Sequence, residues 1–478
     1  MTKGGQFDKL AIVMKNIKRL FGDKNFYKMV LTIAVPIIIQ NGISNFVNML
    51  DNIMVGQVGT EQMSGVAIVN QLMFIFNLAL FGAISGAGIF TAQYVGQKNN
   101  EGIRYTVRFK LITVVLISIV GILLFMGFDE PFIRIFLTDN GTGLDLEATL
   151  SYARDYLKIM LVGLLPFGLS FAYAGTLREA GETRVPMFAS LVAVFTNLIL
   201  NYIFIFGHFG VPAMGVLGAA VATVISRFVE VGILIIWSHT HEVSAPYMVG
   251  LYKSMFIPKE LTVKIIKTGM PLFINEFLWS LGMSMLTQCY STRGMEVIAA
   301  FSISNTIVNL FNIVLFTMGN VVSIIIGQIL GSGNTDEVVD TDNKLITLAV
   351  LASAVMGLLL WLFAPLFPGF YNTTDDIRAM AVVLMRIAAV FMPVSSYLNA
   401  AYFTLRSGGK TMITFLFDSV YLWVLCWPVA FVLSRFTALS IMPLYITVLS
   451  LDFVKVVIGH ILLKKKIWVH DLVSETQM

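Results

Sequence analysis

The sequence predicts an all-α polytopic membrane protein with twelve transmembrane helices in two pseudo-symmetric six-helix bundles. Three observations lead to this prediction: few charged residues, repeated long apolar runs, and a second half that repeats the first. The chain has 478 residues, of which 57% are hydrophobic and 13% charged. Soluble proteins carry roughly 25% charged residues. A chain this apolar cannot cover its surface with polar side chains, which indicates burial in a bilayer.

The apolar runs are long enough to cross a membrane, since a helical span needs about 20 mostly apolar residues. They do not alternate over about ten residues, as the strands of a membrane barrel do. Helices satisfy their backbone polar groups internally, so each run is predicted to be one helix. The twelve predicted spans are 29–54, 64–95, 107–128, 153–178, 186–207, 215–238, 266–291, 296–328, 343–364, 379–405, 412–434 and 440–463.

Basic residues concentrate before the first span and after spans two, six and twelve, in the neighbourhoods of Lys18, Lys98, Lys253 and Lys464. The connection 129–152 is acidic instead. By the positive-inside rule, both termini are expected in the cytoplasm, with the protein in the cell (plasma) membrane. The basic N-terminus also lacks the short apolar core and small-residue site of a cleavable signal.

Two similar octapeptides, identical at five of eight positions, reveal an internal repeat. TLREAGET begins at residue 176 and TLRSGGKT at residue 404, an offset of 228 (404 − 176). Other pairs recur at an offset of 235: Pro36/Pro271, Asn70/Asn305, Asn77/Asn312, Gln93/Gln328 and Gly96/Gly331. Six spans per repeat make the repeats parallel, related by an axis along the membrane normal.

The repeat defines the expected domains. They are a cytoplasmic N-terminal segment 1–28, an N-lobe 29–238, a cytoplasmic linker 239–265, a C-lobe 266–463 and a cytoplasmic tail 464–478. Arg178 and Arg406 mark where the fourth span of each lobe meets the cytoplasm. We expect both to extend towards lipid headgroups and helix C-terminal carbonyls. The role of Asp418, early in the eleventh span, stays open.

Polar residues form a seam along the first helices of each lobe. The first span carries Asn41, Asn45, Asn48 and Asn52 on one helical face, which ends beside Asp51. The seventh carries Glu276, Ser280, Ser284 and Thr287, and the neighbouring spans add Asn70, Asn305 and Asn309. The simplest interpretation of the asparagines is hydrogen bonding between helices, worth about 0.6 kcal/mol each.

Glu276 does not fit that interpretation, because it lies well inside its span with no obvious cation nearby. A charge there is costly and usually faces a cavity or partner. It suits proton uptake and release, sodium coordination or substrate contact. Asp51 lies nearer a membrane surface, and its position alone leaves an interfacial role open. Two further pairs, Arg227/Glu230 and Asp452/Lys455, are predicted to neutralise each other at i,i+3 spacing.

These residues resemble the multidrug and toxic compound extrusion (MATE) family of secondary exporters. The matching stretches are PIIIQNGISNFVNMLDNIMVG (36–56), QYVGQKN (93–99), TLREAGETRVPM (176–187), NLILNYIFIFG (197–207), GVLGAAVATVIS (215–226) and MPLFINEF (270–277). The resemblance implies functional acids at Asp51 and Glu276, with Asn197 and Asn201 helping to hold Asp51. Two family acids are missing: the NorM-like one aligns with Ser395 and the DinF-like one with Asn201. The coupling ion, H⁺ or Na⁺, therefore stays open.

The function predicted on this basis is a secondary active antiporter that exports small organic cationic or amphipathic compounds by alternating access. Apart from the coupling ion, with Na⁺ possible at Asp51 or Glu276, no cofactor is expected. The partners are substrates and membrane lipid, without nucleic acid or ATP, since no Walker GxxxxGK[ST] sequence occurs. A monomer is expected.

Other functions fit less well. A flippase or exporter for lipid-linked oligosaccharide, or an exporter of an endogenous metabolite, is the alternative, and the former predicts a basic cleft for pyrophosphate. A channel is also possible, but the two-lobe repeat favours alternating access. An enzyme is not expected, because the five histidines are scattered along the chain.

Overall fold

The computed structural model describes residues 20–137, 145–371 and 373–474, and within these ranges the chain is helical with no β-strand. Residues 1–19 of the expected N-terminal segment and 475–478 of the expected tail lie outside the described residues. So do residues 138–144 of the acidic connection 129–152. The twelve predicted spans all fall on helices, which confirms the predicted all-α membrane fold.

Among its described residues, the first half of the chain forms eight helices followed by two short 3₁₀ turns, Pro246–Met248 and Leu251–Lys253. The helices are α1 (Lys24–Gly56), α2 (Thr60–Gly96), α3 (Asn100–Gly127), α4 (Asp129–Arg134), α5 (Leu146–Val162), α6 (Leu164–Glu179), α7 (Arg184–Phe206) and α8 (Val216–Thr240).

The second half repeats this order with two irregular regions. A 3₁₀ segment, Ala364–Phe370, extends α11, and two π-helical turns, Leu416–Val420 and Leu422–Cys426, interrupt the eleventh span. The helices are α9 (Lys259–Ser291), α10 (Met295–Gly331), α11 (Thr335–Phe363), α12 (Asp375–Ser407), α13 (Thr411–Phe415), α14 (Trp427–Phe436), α15 (Ile441–Ser450) and α16 (Asp452–Lys464).

Ten helical segments among the described residues are long and apolar enough to cross a membrane, and the bent pair α5–α6 adds an eleventh. The remaining predicted span lies in α9, a 33-residue helix that is not among those segments. Polar residues such as Asn275 and Glu276 reduce its hydropathy. The helix that departs from the apolar pattern is thus one of those expected to carry functional groups.

The fourth span is bent rather than straight. Its halves α5 and α6 meet at Gly163 at an angle of 47°. Pro166, in the first turn of α6, has no N–H to continue the α5 hydrogen-bond ladder. A Cβ on Gly163 would lie 3.2 Å from the Val224 side chain, so the absence of a side chain at the bend lets α8 approach closely.

The chain packs as two compact units. We call Ile39–Thr91 with Asn99–Phe273 the N unit, and the chain up to Ile38, Ala92–Lys98 and the chain from Ile274 the C unit. Both α1 and α9 are divided between units, after Ile38 and after Phe273, which are equivalent at the repeat offset of 235. The lobes 29–238 and 266–463, taken as bodies that move during function, stay a prediction.

Each unit buries a helical core and leaves apolar faces outside. In the C unit, Val321 and Val322 of α10, Leu345 and Ala349 of α11 and Leu405 of α12 are fully enclosed. In the N unit, α3 leaves Leu116, Val120 and Leu123 more than half exposed. These positions, three or four residues apart, share one face. Such an apolar outer face is what lipid contact requires.

The glycines of the repeated octapeptides end the helices that precede them. Gly181 and Gly409 occupy equivalent positions, and their φ angles of 89° and 72° lie in the left-handed region. Glycine adopts this conformation without steric cost, so it commonly follows a helix C-terminus. The preceding residue, Gly408, has a different role, because a Cβ there would lie 1.8 Å from the Trp468 carbonyl oxygen.

Gln93 fixes the chain end inside the C unit. Its side chain is fully buried, and its Nε2 donates to the Ser407 carbonyl at 3.0 Å and the His470 carbonyl at 3.3 Å. Its Oε1 accepts from the Leu472 N–H at 2.8 Å. One repeated glutamine therefore joins the end of α12 to the C-terminal segment.

Candidate functional site

A cavity of about 480 Å³ lies within the N unit, lined by α1, α2, α5, α6, α7 and α8. Its walls combine amides, hydroxyls and charges with bulky apolar groups, and we call it the N-unit cavity. The polar lining includes Ser44, Asn48, Asp51, Asn52, Asn70, Asn77, Ser190, Asn197, Asn201, Thr223, Arg227 and Glu230. The bulky apolar lining includes Met73, Phe74, Phe76, Met160 and Phe167.

The Asp51 carboxylate accepts hydrogen bonds from two asparagine side chains in this cavity. Asn201 of α7 donates from Nδ2 to Asp51 Oδ1 at 2.8 Å. Asn197, one turn earlier, donates to Oδ2 at 2.7 Å when its amide nitrogen faces the carboxylate. Its oxygen then lies 3.2 Å from the Thr223 hydroxyl of α8. Three helices thus fix the position of one half-buried acid.

Arg227 and Glu230 share the wall of the same cavity. Arg227 Nη1 lies 3.1 Å from Glu230 Oε2, which agrees with the predicted i,i+3 pair. The guanidinium also lies over the Phe167 ring, 5.0 Å from its centroid. With Asp51, the cavity wall carries two carboxylates and one guanidinium among its described lining residues. The cavity is therefore net acidic when these groups are ionised.

Glu276 belongs to a separate hydrogen-bond network in the C unit. The Tyr402 hydroxyl donates to Glu276 Oε1 at 3.4 Å and accepts from Asn275 Nδ2 at 3.4 Å. Asn275 is 2% exposed, and its Nδ2 lies 3.2 Å from Asp418 Oδ2. The network therefore joins α9, α12 and the interrupted eleventh span.

A lysine completes this network and corrects one expectation. Lys455 Nζ donates to Asp418 Oδ1 at 2.7 Å, and no ion pair with Asp452 forms within the described residues. The predicted Asp452/Lys455 pair is wrong, although both residues lie in α16, because the Lys455 ammonium is directed to the Asp418 carboxylate of the eleventh span. In the same region, the Ser419 hydroxyl contacts the Asn275 backbone and side chain from a π-helical turn.

The repeated arginines do not reach towards headgroups as expected. Arg178 donates from Nη2 to Gln40 Oε1 at 2.8 Å. Arg406 is only 7% exposed and stacks over Phe403 at 5.3 Å. The amide of Gln40 on α1 lets the Arg178 guanidinium stay inside the protein, and the Phe403 ring covers that of Arg406.

The structure brings some predicted residues together and separates others. Asn48, Asn70, Asn197 and Asn201 line the N-unit cavity with Asp51. Asn41 does not line it, and Asn45, Asn305 and Asn309 are exposed. On α9, the Ser284 hydroxyl bonds to the Ser280 backbone carbonyl rather than to a neighbouring helix.

The threonine of each repeated octapeptide holds a buried charge that the sequence did not single out. In the N unit, Lys110 of α3 donates to Thr176 at 3.2 Å and pairs with Glu179. In the C unit, Thr404 donates to Asp342 Oδ1 at 2.6 Å. Lys110 and Asp342 are 1% and 2% exposed. The only sequence signal was the repeated threonine itself.

The N-unit geometry suits a small ligand that carries positive charge. Asp51 can hold a proton or accept a cation, while the surrounding amides rearrange their hydrogen bonds. Phenylalanine and methionine side chains provide adaptable apolar contacts. The acid therefore lies among amides, beside apolar groups that can contact a ligand.

Comparison with known proteins gives an independent view. The family model for MatE matches residues 36–203 and 271–432. A probable multidrug resistance protein NorM from Thermotoga maritima is 28% identical, covering 88% of this chain and 89% of that protein. A probable multidrug resistance protein YoeA from Bacillus subtilis is 24% identical, covering 86% and 88%.

Solved structures show the same fold. A crystal structure of MATE in complex with MaD3S has a TM-score of 0.81 at 19% identity, covering 94% of this chain and 97% of that one. A transporter of the MOP superfamily from Pyrococcus furiosus has a TM-score of 0.76 at 18% identity, with the same coverage. The twelve-helix architecture expected from the sequence is confirmed by this likeness.

Proposed function

Because this chain belongs to the MatE family, a family of transporters and not of enzymes, we propose that it is a secondary active antiporter. It exports small organic cationic or amphipathic compounds in exchange for inward H⁺ or Na⁺, by alternating access. The relatives from Thermotoga maritima and Bacillus subtilis, both named as multidrug resistance proteins, support the substrate class.

The N-unit cavity is the observation that carries the proposal. An acid held by two amides stands in a cavity of about 480 Å³ that also offers Phe and Met side chains. Ligand pockets of a few hundred Å³ commonly combine apolar walls with a few placed polar groups. We assign Asp51 the coupling or cation-binding role, supported by Asn48, Asn70, Asn197 and Asn201.

Glu276 is proposed as the second coupling acid. Its hydrogen bond from Tyr402 and the connection through Asn275 to Asp418 provide a route by which a change at Glu276 reaches the eleventh span. π-Helical turns such as 416–420 often accompany functional sites in helices. This arrangement supports a role in transport and leaves the identity of the ion to experiment.

The alternative, transport of a lipid-linked pyrophosphate compound, has less support. Such a substrate carries several negative charges and needs a basic binding surface. The N-unit cavity presents Asp51 and Glu230 against the single guanidinium of Arg227. An anionic substrate would therefore meet net repulsion there.

Transport in proteoliposomes tests the proposal. Purified protein should drive uptake of a fluorescent organic cation when a proton or a sodium gradient is imposed, and each gradient is applied separately. Asp51→Asn should abolish gradient-driven transport, with reconstitution efficiency measured for both proteins. Equal transport by wild type with and without both gradients would contradict antiport.

Orientation and oligomeric state belong to the same proposal: a plasma-membrane monomer with both termini in the cytoplasm. Green fluorescent protein fluoresces only in the cytoplasm, so its fusion to the C-terminus should fluoresce. A reporter that is active only outside the cytoplasmic membrane should stay inactive when it is fused to the same end. Light scattering after size-exclusion chromatography should give one chain per detergent micelle. The opposite reporter result would reverse the assigned orientation.

A further inference from the structure

A second cavity, of about 570 Å³, lies in the C unit between α11, α12 and the end of α16. It is separate from the N-unit cavity and takes no part in the function proposed above. Its lining includes charged and polar side chains, while Val339, Ile346, Val350 and Leu351 provide apolar walls. We call it the α16 cavity.

The floor of the α16 cavity contains a buried acid. Asp342 lines the cavity although it is only 2% exposed, and its Oδ1 accepts the Thr404 hydroxyl hydrogen bond. Tyr397 lines the cavity too, and its buried hydroxyl has no hydrogen-bond partner among the described residues. A buried hydroxyl without a partner is costly, so a ligand group that bonds it is stabilising.

The rim of the α16 cavity is basic. Lys464, Lys466 and His460 line it from α16 and the turn that follows. Lys466 has a φ of 54°, which reverses the chain there. Trp468 is buried and donates from Nε1 to the Leu463 carbonyl at 3.2 Å, fixing this turn. The two rim lysines form no ion pair within the described ranges.

The α16 cavity therefore has an acid, Asp342, at its floor and bases, Lys464 and Lys466, at its rim. Its remaining wall is apolar, as a lipid chain requires. We propose that the α16 cavity binds a phospholipid with a primary ammonium headgroup, such as phosphatidylethanolamine. The ammonium contacts Asp342 and Tyr397, the phosphate lies between Lys464 and Lys466, and an acyl chain follows Ile346 and Val350. Basic pockets between membrane helices commonly hold lipid phosphates.

The same charge order argues against other ligands. An organic cation without a phosphate would face the rim lysines. An anionic lipid without an ammonium would leave Asp342 uncompensated next to its own phosphate. The N unit does not repeat the arrangement, since Val107 stands at the position equivalent to Asp342 at offset 235. The site is thus specific to the C unit.

Native mass spectrometry of the purified, delipidated full chain tests this proposal. The protein is mixed with equal amounts of dioleoyl phosphatidylethanolamine, phosphatidylglycerol and phosphatidylcholine, and bound lipid is counted. Phosphatidylethanolamine should be preferred by about tenfold, the change expected from one additional charge-assisted hydrogen bond. Equal retention of the three lipids by wild type would overturn the proposal.

Variants separate the two ends of the site. Asp342→Asn should remove the preference for phosphatidylethanolamine, and Tyr397→Phe, which keeps the ring and hence the packing, should reduce it. The double substitution Lys464→Gln, Lys466→Gln should lower retention of all three lipids alike. Lys465→Gln is the matched control, because Lys465 lies between them without lining the cavity, and it should change nothing. An unchanged preference in Tyr397→Phe and Asp342→Asn would refute the assigned headgroup.

Discussion

Asn201 lies 150 residues beyond Asp51 in the chain, and its amide donates to the Asp51 carboxylate at 2.8 Å. The two candidate acids occupy different levels of equivalent helices. Glu276 corresponds to Asn41 at offset 235, ten residues before Asp51 (51 − 41). Ten helical residues span about 15 Å. The two acids are therefore not equivalent in the repeat, and each lies about 15 Å along its own helix from the counterpart of the other.

Asn201→Ala tests whether the amide shell of Asp51 matters for transport. Loss of one hydrogen bond to a charged group is worth roughly 1.5–3 kcal/mol, so cation efflux should fall about tenfold or more. Asn45→Ala is the control, since Asn45 is exposed and does not line the N-unit cavity. Efflux of a fluorescent cation from cells, normalised to membrane expression, measures both. Equal efflux by the two variants would exclude a role for this hydrogen bond.

Glu276→Gln should abolish gradient-driven efflux while leaving membrane insertion intact, because glutamine keeps the size of the side chain and cannot exchange a proton. Tyr402→Phe removes the hydroxyl that donates to Glu276 and should cause a smaller loss. Ser284→Ala, on the same helix, removes only a bond to its own backbone and should be neutral. The readout is initial transport rate in proteoliposomes. Full activity in Glu276→Gln would remove Glu276 from the mechanism.

Lys455→Met should destabilise the C unit, because Asp418 then lacks its ion-pair partner. The side chains are 13% and 17% exposed, and removing one partner of a buried pair costs about 3–5 kcal/mol. The double substitution with Asp418→Asn should recover most of the stability. Thermal unfolding in detergent compares the proteins. Lys344→Met, which breaks a more exposed pair with Asp340, should have a much smaller effect. A double variant as unstable as the single one would refute this account.

Gly408→Ala should loosen the C-terminal segment, since the added Cβ would lie 1.8 Å from the Trp468 carbonyl oxygen. Forcing an atom into such a contact costs about 1–3 kcal/mol. Gly232→Ala in α8 has nothing within 4 Å of the added Cβ, and alanine should stabilise that helix by about 0.5–1 kcal/mol. The rate of limited proteolysis near residue 470 tests Gly408→Ala, and the unfolding temperature is measured for both variants. Equal protection of the segment in Gly408→Ala and wild type would contradict the predicted clash.

The fold was predictable because it depends on local sequence features, namely the length of the apolar runs and the internal repeat. Apolar length located the spans, and the repeat offset of 235 paired α1 with α9. Family resemblance, rather than spacing, directed attention to Asn201 as a neighbour of Asp51. The bend at Gly163 was less visible, because one glycine and one proline in an apolar run leave its hydropathy nearly unchanged.

The errors concern charged side chains whose partners are distant in sequence. Lys455 was paired with Asp452 on the basis of helical spacing, but its partner is Asp418, which lies 37 residues away on a neighbouring helix. Arg406 was expected at the membrane surface, yet its surroundings bury it. Asp342 was missed because one acid near the start of an apolar run resembles an interfacial residue. Only packing between helices distinguishes these cases.

The hydrogen bonds from Gln93 to His470 and Leu472 make the protein sensitive to truncation at its C-terminal segment. A stop codon shortly before position 470 would leave the twelve predicted spans in place. It would still strip Gln93 of its contacts with His470 and Leu472, leaving an enclosed amide with unmet polar atoms. Shortened alleles should therefore be degraded by cellular quality control instead of acting as partly active pumps.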